Sequence, residues 1–168
     1  MSSKIHKKDA PKNVTIGILT VSSTRTLTND KSGQWIRKLA RKEGHQVVYH
    51  QVIPDDIETI SDTVLEVIRD LSPHALLLTG GTGISPKDLT IEAVNPLFEK
   101  ELAAFGPLYA QLSYEKIDSA ALLSRATAGV IGKTMVFCMP GSLNACKLAC
   151  KALIFPELGH LVKHVNET

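Results

Sequence analysis

Three short runs of apolar residues dictate what this chain can fold into. Residues 14–21 read V-T-I-G-I-L-T-V, residues 75–79 read A-L-L-L-T, and residues 134–139 read T-M-V-F-C-M. They are too apolar to alternate cleanly with polar residues, which is the pattern of a strand covered on both faces. Each run leads through a loop of small or polar residues into a helical pattern. After the first, Ser32 can cap a helix that turns Trp35, Ile36, Leu39 and Ala40 inward, and Gly44 supplies the stop. Residues 47–53 then return as a strand.

From Asp55 onward, Ile57, Ile60, Val64, Val67, Ile68 and Leu71 recur at three- and four-residue steps, one buried helical stripe closed by Pro73. After the third run, Ser142 can cap a helix over 143–155. Strands alternating with helices predict βαβ units, hence a three-layer α/β/α fold with a mostly parallel central sheet. With 168 residues, 43% of them hydrophobic, one domain over 14–168 is expected, preceded by a loose polar tail over 1–13.

Several classes of function are disfavoured. The formal charge of +2 gives no basic field that would mark nucleic acid as the main ligand. No stretch approaches the ~20 apolar residues needed to cross a bilayer, and the N-terminus carries no signal sequence; a soluble, cytoplasmic protein is expected. Cys138, Cys146 and Cys150 form no C-x-x-C pair, and the spacing of the last two stacks them on one helical face as small buried hydrophobes. The histidines are read as structural or solvent-facing, so no protein-held zinc is expected.

In open sheets of this kind ligands bind beyond the carboxyl ends of the strands. Three loops leave those ends: 22–30, 80–90 and 140–144. The second is the sharpest feature of the sequence. Thr79-Gly80-Gly81-Thr82-Gly83 follows a buried strand and precedes Asp88 and Thr90. Glycines there permit positive φ and let backbone N–H groups converge on an anion, although a tight turn alone also demands glycine. The loop is neither standard nucleotide signature: Pro86 stands where G-x-G-x-x-G needs its last glycine, and Gly132-Lys133-Thr134 lacks the preceding glycine of a P-loop and enters a strand. Asp55 and Asp56 sit where carboxylates favour a helix N-terminus. If the strand before them ends near the glycine loop, one of them could share a Mg²⁺ with Asp88. Ser124-Arg125 offers a hydroxyl and a planar cation for phosphate or carboxylate, or a surface ion pair.

Taken in order, Thr20-Val21-Ser22, Asp30-Lys31-Ser32-Gly33, Ile53-Pro54-Asp55-Asp56, the 79–83 loop with Asp88-Leu89-Thr90, Glu92-Ala93, Phe105-Gly106, Leu123-Ser124-Arg125-Ala126 and Met139-Pro140-Gly141-Ser142 resemble the MoaB/MogA molybdopterin adenylyltransferase family over nearly the whole folded chain. Asn95-Pro96-Leu97-Phe98 and Ser142-Leu143-Asn144-Ala145-Cys146 look more like its MoaB branch. The resemblance implies Mg²⁺-dependent transfer of AMP from ATP to the terminal phosphate of molybdopterin, with release of pyrophosphate. It implies Asp55 and Asp88 as the required acids and as ligands of Mg²⁺. Ser22, Thr79, Gly80, Gly81, Thr82, Gly83, Thr90, Ser124, Pro140, Gly141 and Ser142 would bind the substrates. A homotrimer or homohexamer is implied too, with transient contact to the molybdate-insertion enzyme. Leu97, Phe98, Leu102, Phe105, Leu108 and Leu112 would serve either that interface or the core. The chain departs from the family at Ser23, where many relatives carry Asp, which bears on nucleotide contacts and metal affinity. A noncatalytic molybdopterin carrier or scaffold is the alternative function.

Overall fold

A computed structural model of the chain describes residues 10–167. Of the tail expected over 1–13, residues 1–9 lie outside the described residues. Residues 10–13 run beside the C-terminal helix, where the Pro11 carbonyl leaves no room for a side chain at Gly159.

Six strands form one sheet in the order β2-β1-β3-β6-β5-β4. Strands β1 (Thr15–Val21), β2 (Gln46–Ile53), β3 (Ala75–Thr79) and β6 (Thr134–Met139) are mutually parallel. Strand β5 (Thr127–Ile131) returns antiparallel to β6, and the two-residue strand β4 (Lys100–Glu101) pairs antiparallel with β5. The expected mostly parallel sheet is present, with an antiparallel margin at one edge that the apolar runs do not announce.

Along each central strand the side chains divide by period two. Ile16, Ile18, Ala75, Leu77, Met135, Phe137 and Met139 enter one core. It is closed by helices α1 (Lys31–Lys42), α4 (Phe105–Ile117), α5 (Leu143–Ala149) and α6 (Phe155–Asn166). Leu19, Val21, Leu76, Leu78, Val136 and Cys138 enter the other, beneath α2 (Ile57–Leu71) and α3 (Thr90–Val94). These are the three layers. All three cysteines are buried and unbridged, and burial pushes their thiols up, as expected of small hydrophobes. Among the described residues no helix is long and apolar enough to cross a membrane.

Two helix boundaries differ from the sequence reading. Helix α1 is capped by Asp30 rather than Ser32, because the Asp30 carboxylate accepts the Gly33 N–H at 3.0 Å. Ser32 lies in the first turn and donates its hydroxyl to the Gly141 carbonyl. The C-terminal helix does not end at Phe155 but runs to Asn166. It widens into a π-turn over Cys150–Ile154 immediately before Pro156, where an unaltered α-helix would meet the proline ring with the carbonyl one turn back.

Asp30 itself is fully buried. Besides Gly33 it accepts the Thr20 hydroxyl at 2.7 Å and lies 3.0 Å from His50 Nε2. Burial alone would raise its pKa; the bonds from His50, Gly33 and Thr20 outweigh it and hold the carboxyl below its ordinary range. Its stabilising contribution is therefore fully present above the unfolded carboxyl value of about 3.9 and lost as pH falls through the lower folded value. Asp30→Asn keeps a capping side chain but removes the charge, and is expected to destabilise the fold by about 1–3 kcal/mol at pH 7. Urea unfolding between pH 7 and pH 3 should show the gap between wild type and variant closing in acid; a gap that ignores pH would refute this role.

Candidate functional site

Strands β1, β3 and β6 end side by side, Thr20 beside Thr79 and Thr79 beside Met139, so their three following loops converge. Backbone meets backbone there. Gly80 (φ 98°) and Gly81 (φ 65°) take conformations that side chains resist. A Cβ at Gly80 would lie 2.3 Å from the Val21 carbonyl, and one at Gly141 would lie 3.0 Å from the Gly80 Cα. The turn at Pro140 is tied down from several sides. Thr79 donates its hydroxyl to the Pro140 carbonyl, while Ser32 and Arg25 Nη1 donate to the Gly141 carbonyl.

Between these loops lies a polar cleft of about 370 Å³. Ser22, Ser23, Thr24 and Arg25 form one wall, Gly80, Gly81 and Lys87 another, and Asp55, Gly141 and Ser142 complete it. The sequence leaves open which of two acids faces the site. Asp56 caps α2 by accepting the Thr59 N–H and hydroxyl, at 2.8 and 2.7 Å. Asp55 lines the cleft, and its Oδ2 accepts both the N–H and the hydroxyl of Ser23 at 2.7 Å. Ser23 thus supplies two donors at the position where an Asp would set a second carboxylate against Asp55. Two cations and one carboxylate line a glycine-floored cleft, a combination suited to phosphate.

A second, larger groove of about 550 Å³ adjoins the cleft and shares Ser142 with it. Tyr109, Ile117, Ala145 and Leu148 give it an apolar lining between α4 and α5, Lys116, Lys147 and Lys151 stand in it, and Ser124 and Pro140 line it too.

Of the candidates read from sequence, Ser22, Asp55, Gly80, Gly81, Gly141 and Ser142 line the cleft and Ser124, Pro140 and Ser142 line the groove. Thr79, Thr82, Gly83, Asp88 and Thr90 line neither. They brace the glycine loop from behind. The buried Thr90 hydroxyl donates to the Gly80 carbonyl at 2.7 Å. Asp88 accepts the Ser85 N–H at 2.9 Å and packs against Gly83. Burial raises its pKa, but bonds from Ser85 and Gly83 and the nearby Arg125 charge prevail and lower it. Arg125 forms an ion pair with Glu92 at 2.7 Å and donates to the Thr82 carbonyl at 2.9 Å, clamping α3 to the loop. Arg25 and Lys87 were not singled out from sequence; a cation within each of the first two strand-end loops was the available signal.

The family profile described as "Probable molybdopterin binding domain" matches residues 17–160. Molybdenum cofactor biosynthesis protein B of Bacillus cereus is 48% identical over 162 residues, covering 96% of each chain. A crystal structure of a molybdenum cofactor biosynthesis protein B superposes with a TM-score of 0.91 at 44% identity, covering 95% of this chain and 100% of that one. The tungsten cofactor synthesizing protein MoaB from Pyrococcus furiosus gives a TM-score of 0.84 at 39% identity, covering 94% and 100%.

Gly81 and Gly132 both hold positive φ, but a Cβ at Gly81 would stand 2.4 Å from Thr90 Oγ1 whereas one at Gly132 meets nothing within 4 Å. Gly132→Ala should cost only the conformational strain of about 1–2 kcal/mol, and Gly81→Ala distinctly more. Equal losses in chemical denaturation would contradict the close packing of the loop.

Proposed function

This chain belongs to the family of molybdopterin-binding domains, on the side of its MoaB members, and from that premise we propose that it transfers AMP from ATP to the terminal phosphate of molybdopterin. Its role is in molybdenum-cofactor biosynthesis, with molybdopterin as ligand or substrate. The observation that carries the finer reading is the polar cleft, where Arg25, Lys87 and the backbone of Gly80, Gly81 and Gly141 surround the Asp55 carboxylate. In the reaction a phosphate oxygen of the pterin forms a bond to the α-phosphorus of ATP, and the bond from that phosphorus to the bridging oxygen of pyrophosphate breaks. No protein nucleophile is required. Such transfers depend on positioning and on neutralising phosphate charge.

Arg25 and Lys87 supply positive charge to the nucleotide phosphates, and the glycines let those phosphates approach the backbone. The apolar groove beside the cleft supports a flat ring system such as the pterin, with Ser142 common to both substrates. A Mg²⁺ ion fits the donor chemistry. Asp55 spends Oδ2 on Ser23, which leaves Oδ1 to a cation, and Mg²⁺ commonly takes one or two carboxylates, with phosphate oxygens and water completing its shell. When bound, the ion neutralises phosphate charge. Asp55 and Asp88 are the acids that would hold it. Asp88 orders the loop through Ser85 and would have to turn from it toward the cleft to reach such an ion. Apolar side chains exposed on and after α4, among them Tyr114, Ile117 and Leu123, support a homotrimer or homohexamer and a surface for transient contact with the molybdate-insertion enzyme.

Wild-type protein given molybdopterin, ATP and Mg²⁺ should yield adenylylated pterin and pyrophosphate. Asp55→Asn and Asp88→Asn should each lower turnover by at least about 100-fold while the thermal transition changes little. Pterin binding without nucleotide binding, measured by calorimetry, would instead establish the carrier function. Full turnover in Asp88→Asn would confine that residue to ordering the loop.

A further inference from the structure

Helix α1 gathers positive charge in a chain that is otherwise close to balanced. Of its twelve residues Lys31, Arg37, Lys38, Arg41 and Lys42 are basic and none is acidic, whereas the formal charge of the whole chain is +2. Gln34, Arg37, Lys38 and Arg41 recur at three- and four-residue steps and so share one face. Together with His50 of β2 and the exposed Leu27 they line a groove of about 380 Å³. Gln34 Nε2 donates to the Leu27 and Thr28 carbonyls at 2.7 and 3.1 Å, which holds the loop before α1 against the helix. His50 lies 3.0 Å from Asp30 and keeps only 9% of its side chain exposed. No carboxylate lines the groove, and among the described residues none stands within ion-pair distance of Arg37, Lys38 or Arg41. The helix C-terminus favours cations at Arg41 and Lys42. Arg37 and Lys38 stand before the last turn, and like charges three and four residues apart repel.

We propose that this groove is a binding site for a polyphosphate anion, separate from the polar cleft. The two sets of lining residues have no member in common, and the site stands independently of the chemistry at the cleft. Each guanidinium presents a planar fork of donors that matches phosphate oxygens two at a time, and Lys38 adds a compact point charge. Three cations converging on one groove suit two or three linked phosphoryl groups, whose charge removes the repulsion along the helix face. Asp30, the carboxylate behind His50, is fully buried and does not line the groove, so it leaves the face uniformly basic. The shape favours a compact ligand, because the nearly buried His50 ring lies inward of the exposed cations. The small net charge of the chain gives no wide basic field of the kind a nucleic acid needs.

The test titrates the full chain, carrying isotope-labelled arginine, with inorganic tripolyphosphate and with ATP in the absence of Mg²⁺. Calorimetry gives affinity, and the Nε–Hε resonances of Arg37, Arg41 and Arg25 give location. The Arg37 and Arg41 signals should move together as the anion binds, while movement of Arg25 reports the cleft separately. Arg37→Gln combined with Arg41→Gln retains good helix formers and should weaken this binding by at least about tenfold, with helix content unchanged by circular dichroism. Tighter binding of ATP at these arginines identifies a nucleotide as the ligand, and tripolyphosphate binding at least as tightly identifies a free phosphate chain. The proposal is overturned if the Arg37 and Arg41 signals stay still, or if binding survives the double variant undiminished with movement confined to Arg25. A glutamate-rich peptide that binds the two arginines more tightly than either phosphate would overturn it as well.

Discussion

Asp30 carries a negative charge at a position no water reaches, and the surrounding structure is arranged to tolerate it. Desolvating such a group costs several kcal/mol unless donors replace the water. Here the donors come from three separate elements: Thr20 near the end of β1, His50 in β2 and the Gly33 N–H in the first turn of α1. That satisfaction fixes where α1 begins and how it sits against the sheet. The start of α1 in turn places Ser32, whose hydroxyl holds Gly141 in the wall of the polar cleft. A Cβ at Gly33 would crowd both the Asp30 carboxylate and the His50 ring, so glycine leaves room for this network.

The parts of the fold that the sequence announces are those whose burial is extreme. Strand β3, buried at all five positions, matches its apolar run residue for residue, and the central sheet follows from such runs. What escaped were elements decided by tertiary contact. Strand β4 is two exposed charged residues, Lys100 and Glu101, that become a strand only by pairing with Val130 and Gly129. Asp30 and Ser32 are both good helix caps, and the choice between them is made by Thr20 and His50, far from either in local pattern. The helix expected over 143–155 continues through Pro156 to Asn166, because the π-turn before the proline makes room for its ring.

The candidate site divides in the same way. Its location at the carboxyl ends of β1, β3 and β6 follows from topology, and the glycines of the second loop mark its floor. Which side chains face the floor does not follow. Asp88 hydrogen-bonds its own loop at Ser85, a local competition for short polar side chains that sequence spacing cannot resolve. Arg25 and Lys87 take the cleft-facing positions instead. Of the adjacent pair Asp55-Asp56, the helix dipole argument applies to Asp56 and the ligand argument to Asp55.

The order of strands in the sheet has a consequence for the birth of the protein. Strands β1, β2 and β3 are all contained in the first 79 residues, yet β6, which must pair with β3, begins at residue 134. The Gly80 and Pro140 turns therefore meet only through a contact between segments about sixty residues apart, the class of closure that slows folding. A nascent chain can assemble the three-stranded half of the sheet while synthesis continues, but the cleft does not exist until the last parallel strand docks. The cleft, which needs Gly141 and Ser142, is thus withheld from every incomplete chain that stops short of β6.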